Sequence, residues 1–118
     1  MAADSDGASY SASDSASYSG REALYLALSS VPAGRLISYG DLAALAGLPG
    51  RARWVGWQLS QLPASSQLPW HRVLKANGRL AFEAGSEAYR RQLSKLQAEG
   101  SADDAGHIHW RACRWPDK

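Results

Sequence analysis

Between Ile37 and Pro63 the chain reads ISYGDLAALAGLPGRARWVGWQLSQLP. Two short helical patterns flank a glycine-containing turn, and this pairing restricts the fold more than any other feature. Ser38 precedes YGDLAALAG as a helix-starting hydroxyl, with Asp41 three positions on as a weaker form of the capping box. Helix formers run to Gly47, and GLPG then supplies a tight turn. RARWVGWQLSQL reads as a second helix, stopped by Pro63. Val55, Leu59 and Leu62 share one of its faces, while Arg51, Trp54, Gln58 and Gln61 fall elsewhere. Two short helices joined in this way make a helix-turn-helix.

The rest of the chain supplies elements to pack against that pair. REALYLALSSV, from Arg21, places Ala23, Leu24, Ala27, Leu28 and Val31 on one helical stripe, which Pro32 and Gly34 end. After the helix-turn-helix, PASSQ crosses to LPWHRVL, whose apolar ends predict a buried segment, and KANGRLAF turns at Asn77 and Gly78. SEAYRRQLSKLQAEG predicts a further helix, capped by Ser86 and closed by Gly100, with Tyr89, Leu93 and Leu96 on one side. HIHWRACRW is expected to form either a short strand or an ordered tail packed on the domain. His107 and His109 alternate there with Ile108 and Trp110, which a strand face explains better than a metal site. No internal repeat is present.

At 118 residues the chain is one domain by length, since single domains usually take about 100–200 residues. Residues 1–19 are rich in Ser, Ala, Gly and Asp and hold too little apolar material to offset the entropy of ordering them, so a disordered tail is expected there and a folded domain over residues 20–118. No run approaches the roughly 18 apolar residues of a membrane span, and the start lacks the basic and apolar regions of a signal peptide. A soluble, cytoplasmic protein without membrane contact is expected, associated with the nucleoid if the source is bacterial. The single cysteine, Cys113, can form no internal disulfide and has no second thiol with which to hold zinc. Nothing in the sequence calls for a metal or another cofactor. The formal charge of +2 is unevenly spread. Residues 35–79 carry Arg35, Arg51, Arg53, Arg72, Lys75 and Arg79 against the single acid Asp41, a balance compatible with a phosphate-bearing partner.

Taken together, ISYGDLAALAG, RARWVG and PWHRV resemble the DNA-binding domain of the O6-alkylguanine-DNA alkyltransferases, in which a helix-turn-helix precedes a Pro-Cys-His-Arg-Val centre. The resemblance covers residues 20 to 100. It implies a mainly α, small single domain with a winged-helix-like helix-turn-helix, as in the C-terminal domain of those enzymes. Trp70 stands at the cysteine position, which marks the non-enzymatic, alkyltransferase-like branch. An indole has no accessible anionic form near neutral pH and cannot take an alkyl group as a thiolate does. It can offer a flat apolar wall to a purine, and such contact is worth roughly 1–3 kcal/mol.

The resemblance also implies roles for individual residues. Tyr39 would crowd the 3′ phosphate and promote rotation of the nucleotide, and Arg53 would enter the stack and fill the vacated space. Gly56 would let the second helix approach the sugar edges in the minor groove, with Trp57 standing where the enzymes carry another glycine. Trp70, His71 and Val73 would form the alkylguanine pocket, and Pro69, Arg72 and Glu99 would support the motif, Glu99 matching the glutamate that orients the histidine. Without a thiol the proton-relay role of His71 is vacant, so it serves structure as readily as function. Leu62 replaces the asparagine that braces the enzymes' active-site turn. Arg51, Lys75 and Arg79 are candidate phosphate contacts. Trp110 and Trp115 are expected to cover the pocket, and no pocket-closing contact is assigned within FEAGS.

The implied partners are double-stranded DNA containing O6-alkylguanine and the proteins of nucleotide excision repair, with the chain itself a monomer. The implied function is lesion recognition without chemistry. Two other readings stand beside it: an active alkyltransferase with Cys113 or another nucleophile, and a helix-turn-helix transcription regulator.

Overall fold

The computed structural model describes residues 19–116, so the expected tail lies outside the described residues except for Ser19. Ser19 is the N-cap of the first helix. Helix α1, Gly20–Ser29, starts on a full capping box: the Glu22 amide donates to Ser19 Oγ at 3.1 Å and the Ser19 amide donates to the Glu22 carboxylate at 3.0 Å. Strand β1, Ile37–Ser38, leads into α2, Tyr39–Leu45, where the Asp41 amide donates to the Ser38 hydroxyl. Helix α3, Ala52–Ser60, follows the turn and completes the helix-turn-helix. A single 3₁₀ turn, Trp70–Arg72, then runs into strand β2, Val73–Leu74. Helix α4 spans Glu87–Ala98 with Ser86 as its cap, and a short α5 spans Trp110–Cys113.

The two strands pair in parallel, Ile37 with Val73 and Ser38 with Leu74. Their alternation divides the core. Ile37 and Val73 face a cluster with Leu24, Leu28 and Val31 of the first helical stripe, Leu42 and Ala43 of α2, and Val55 of α3. Leu36 and Leu74 face a second cluster built with Leu80, Leu96 and Ala102. Neighbouring side chains on a strand point to opposite faces, so two strand pairs suffice to key both halves of the molecule together.

One local expectation is corrected and one open alternative is decided. Trp54, assigned away from the apolar face of α3, packs on the first cluster, because the start of α1 comes down over it: a Cβ on Gly20 would lie 3.3 Å from the Trp54 ring. The C-terminal segment is an ordered, packed tail rather than a strand. Ile108 makes one isolated antiparallel bridge with Ala102, α5 follows, and Arg114 bridges to Leu36. His107 and His109 are exposed, and His107 pairs with Asp103 at 3.3 Å.

Candidate nucleic-acid interface

The segment LPWHRV owes its shape to Pro69. Its fixed φ, here −81°, tightens the chain into the 3₁₀ turn, closed when the Arg72 amide donates to the Pro69 carbonyl at 3.1 Å. Val73 then enters β2 and is wholly buried. Arg72 points inward. Its Nε and Nη2 grip the Glu99 carboxylate at 2.6–3.2 Å, and Nη1 donates to the Val31 carbonyl at 2.7 Å. Glu99 ends α4, receives the Gly34 amide at 3.3 Å, and lies 3.0 Å from His71 Nε2. Three separate stretches, the α1–β1 connection, the 3₁₀ turn and the end of α4, thus meet on one carboxylate.

The electrostatics follow from those contacts. Burial opposes ionisation of Glu99, but hydrogen bonds from Arg72, His71 and the Gly34 amide outweigh it and hold the carboxyl at about 2. Burial also pushes the His71 imidazole down, against the pull of Glu99. A neutral His71 donates from Nε2 to the carboxylate, leaving Nδ1 as its acceptor. Burial raises the Tyr39 hydroxyl above its usual range, so it stays a protonated donor.

A second support was not legible as such in the sequence. Gln92, fully buried on α4, donates to the carbonyls of His71 and Val73 at 3.0 and 3.1 Å, clamping the 3₁₀ turn from behind. A glutamine between Tyr89 and Leu96 on an otherwise apolar face was the available signal, because a polar group placed there must serve buried partners.

On the outer side of this turn lies an open cleft of about 550 Å³. One wall is α3 and the start of α2: Tyr39, Gly40, Ala52, Arg53, Gly56, Leu59 and Ser60. The other comprises Trp70, Lys75, Ala76, Ala81 and Phe82. Gly56 sits opposite the Tyr39 ring, where a Cβ would meet it at 3.9 Å, so the helix surface there is low without being blocked. The half-buried Trp70 ring stands edge-to-face to His71 on one side, 6.1 Å between centroids, and to Phe82 on the other.

Of the residues singled out in the sequence, Tyr39, Arg53, Gly56 and Trp70 converge on this cleft. His71 backs the wall without lining it. Val73, expected as a pocket residue, belongs to the first core cluster instead, because its strand position directs it inward. Arg51 is exposed at the start of α3, outside the cleft. Pro69, Arg72 and Glu99 hold the turn from the inner side. Trp110 and Trp115 do not cover the cleft: Trp110 packs on the second core cluster and Trp115 on the first. The aromatic at its edge is Phe82, 39% exposed, within the FEAGS stretch. Cys113 lies in α5, packed against the second cluster and away from these walls.

Residues 19–101 match the family described as 6-O-methylguanine DNA methyltransferase, DNA binding domain. The chain is 37% identical over 93 residues to a DNA base-flipping protein of Vibrio parahaemolyticus, covering 78% of this chain and 91% of that protein. It is 34% identical over 77 residues to alkyltransferase-like protein 1 of Schizosaccharomyces pombe, covering 65% and 71% of the two chains. Its fold is similar to that of S. pombe Atl1 in a crystal structure with damaged DNA containing O6-carboxymethylguanine, with a TM-score of 0.65, 32% identity, and coverage of 70% of this chain and 76% of that one. A match over most of the folded domain, joined to a cleft faced by an indole, places the chain in the 6-O-methylguanine DNA methyltransferase DNA-binding-domain family as an alkyltransferase-like protein.

Proposed function

We propose that this protein recognises O6-alkylguanine in duplex DNA, turns the damaged nucleotide out of the stack and holds it unaltered against Trp70. The single observation that carries this reading is the meeting of Tyr39, Arg53, Gly56 and Trp70 around one open cleft. The relatives named for base flipping, and the neighbour bound to damaged DNA, support it.

In this reading α3 enters the minor groove with its exposed face. Gly56 keeps that face low, and Arg53 in the first turn of α3 fills the space left by the rotated base, where a guanidinium can stack and donate. Tyr39, neutral and half-buried, crowds the flanking phosphate. Arg51 begins α3 without a side-chain cap, so first-turn amides remain for a phosphate. Rotating the nucleotide costs a few kcal/mol, which phosphate contacts and the Trp70 face offset in part. Trp70 takes the position of a nucleophile and cannot act as one, and Cys113 lies elsewhere, so the alkyl group stays on the base. Excision-repair proteins then receive a bent, opened site, with the protein acting as a monomer in the compartment that holds the DNA.

The test compares duplexes with and without O6-methylguanine. Preferential binding of the damaged duplex, with no methyl mass gained by the protein, is expected; a protein carrying the methyl group afterwards overturns the reading.

A further inference from the structure

Residues 102–116 lie beyond the stretch that matches the family, which ends at residue 101, yet they reach the strand that delivers Tyr39 to the cleft. Leu36, fully buried just before β1, donates its amide to the Cys113 carbonyl at 2.8 Å, and its own carbonyl accepts the Trp115 amide at 2.7 Å. Arg35 reinforces the join: Nε donates to the Cys113 carbonyl at 3.1 Å and Nη2 to the Arg114 carbonyl at 2.7 Å. From the same segment the Arg114 side chain crosses to α2. Its Nη2 donates to Asp41 Oδ2 at 3.1 Å, and its guanidinium lies over the Trp110 ring. Asp41 is therefore tied at two points, since its amide also donates at 3.0 Å to the Ser38 hydroxyl that caps the helix.

We propose that Arg114 is a positioning residue for Tyr39, holding the first turn of α2 so that the tyrosine stands where a nucleotide leaving the duplex must pass. The inference rests on the lesion-binding reading and adds to it a part of the chain outside the matched domain. Tyr39 opens α2, two residues before Asp41. A helix of 7 residues is too short to keep its place by its own hydrogen bonds, so the direction of Tyr39 depends on what grips that first turn. Pairing of β1 with β2 fixes the strand only as far as Ser38, opposite Leu74. Beyond that point Arg114 takes hold of the helix itself. Its stacking on Trp110, which packs on the second core cluster, leaves the guanidinium less freedom to lose on pairing with Asp41. A guanidinium 34% exposed could instead meet a backbone phosphate, and removing each partner of the Arg114–Asp41 pair in turn separates these two roles.

The experiment measures equilibrium affinity of the whole protein and of its Arg114→Gln, Arg114→Lys and Asp41→Asn variants, each below its melting transition, for undamaged and O6-methylguanine duplexes. A 2-aminopurine beside the modified guanine reports by its emission whether the stack has opened in the bound complex. Arg114→Gln is expected to lose about three- to fivefold of the preference for damaged duplex, the scale of a partly exposed ion pair, and to give less emission at saturation. Its affinity for undamaged duplex should stay within about twofold. Arg114→Lys, which keeps a cation for Asp41, should retain most of the preference. Asp41→Asn should show the same selective loss as the glutamine variant, and it carries the test if that variant does not fold. Equal loss on both duplexes in Arg114→Gln, with binding kept or strengthened in Asp41→Asn, assigns the guanidinium to a phosphate and overturns the inference. Unchanged preference and emission in Arg114→Gln overturn it as well. Failure of the unaltered protein to distinguish O6-methylguanine from undamaged DNA is a separate result: it removes the lesion-binding reading, and the role of Arg114 falls with it.

Discussion

His71 Nε2 lies 3.0 Å from Glu99 Oε2, and the same carboxylate holds the Arg72 guanidinium at 2.6 Å. Both partners of the first pair resist protonation in the folded state. His71 sits below its ordinary value of 6.5, chiefly through burial, and Glu99 falls from 4.5 to about 2 as its hydrogen bonds outweigh burial. The unfolded chain therefore binds more protons than the native one as pH drops, and stability falls with pH. The loss begins below about 6.5 through His71 and deepens between 4.5 and about 2 through Glu99. Thermal unfolding midpoints measured from pH 7.5 downward should decline in these two windows. Glu99→Gln should cost about 2 kcal/mol at neutral pH, the range of hydrogen bonds to charged groups, and flatten the lower window.

Arg53 is exposed in the first turn of α3 and lines the cleft beside Tyr39 and Gly56. Its removal should leave folding intact, since exposed positions free of such special contacts usually change stability by no more than about 0.5 kcal/mol. Lesion binding should weaken by about 1–3 kcal/mol, the scale of one stacking contact. Titration with an O6-methylguanine duplex measures this, and unchanged affinity would count against an arginine that props the opened stack.

Trp57 is 59% exposed on α3. It lies four residues from Arg53, and positions so spaced share a helix face. On α3 as the proposed groove-facing helix, a ring this large would meet every duplex, damaged or not. Trp57→Ala should therefore lower affinity for damaged and undamaged DNA by a similar factor, leaving their ratio unchanged. A selective loss for the damaged duplex would move Trp57 from groove contact to lesion contact.

The sequence made the helix-turn-helix legible because its caps and its period are local: Ser38, Gly47 and the Val55–Leu59 face need no knowledge of distant chain. The convergence of Tyr39, Arg53, Gly56 and Trp70 was reachable through the resemblance. Other features besides Gln92 were not. Trp54 looked peripheral because its cover comes from Gly20 on another helix. Val73 reads as a pocket residue because spacing along PWHRV does not reveal that the 3₁₀ turn ends after Arg72, which sends the next side chain into the core. Phe82 escaped assignment because the FEAGS stretch has no period to fix its register, and its role depends on the position of Trp70.

Replacing Trp70 by cysteine tests how much of an enzyme remains. His71, Arg72 and Glu99 already form a connected network, so a thiol there would have a neighbouring imidazole. The substitution also removes one partner of the Phe82 contact and enlarges the cleft, and Leu62 offers no hydrogen bond to brace the turn. Little or no transfer of a methyl group from O6-methylguanine DNA is expected, together with weaker binding. Mass measurement of the variant after incubation with damaged duplex decides the matter; efficient transfer would mean that the machinery survives apart from the nucleophile.

Gly78 and Trp110 set the last expectation. Gly78 turns the chain at φ +82°, closed by its own amide donating to the Lys75 carbonyl at 2.8 Å. A Cβ there would fall 2.5 Å from Trp110 Cγ. The indole has little room to yield: it packs on the second core cluster, and Arg114 lies over its ring at 4.9 Å while bonded to Asp41 of α2 at 3.1 Å. Gly78→Ala thus combines left-handed backbone strain with overpacking, a loss of about 3 kcal/mol and a melting point lower by on the order of 15 °C for a domain of this size. Gly78→Asn separates the two causes, because asparagine tolerates the left-handed region but still carries a Cβ. It should remain clearly less stable than the unaltered protein. An asparagine variant that melts with the parent would mean that Trp110 moves aside freely, and that the turn is held by its backbone conformation alone.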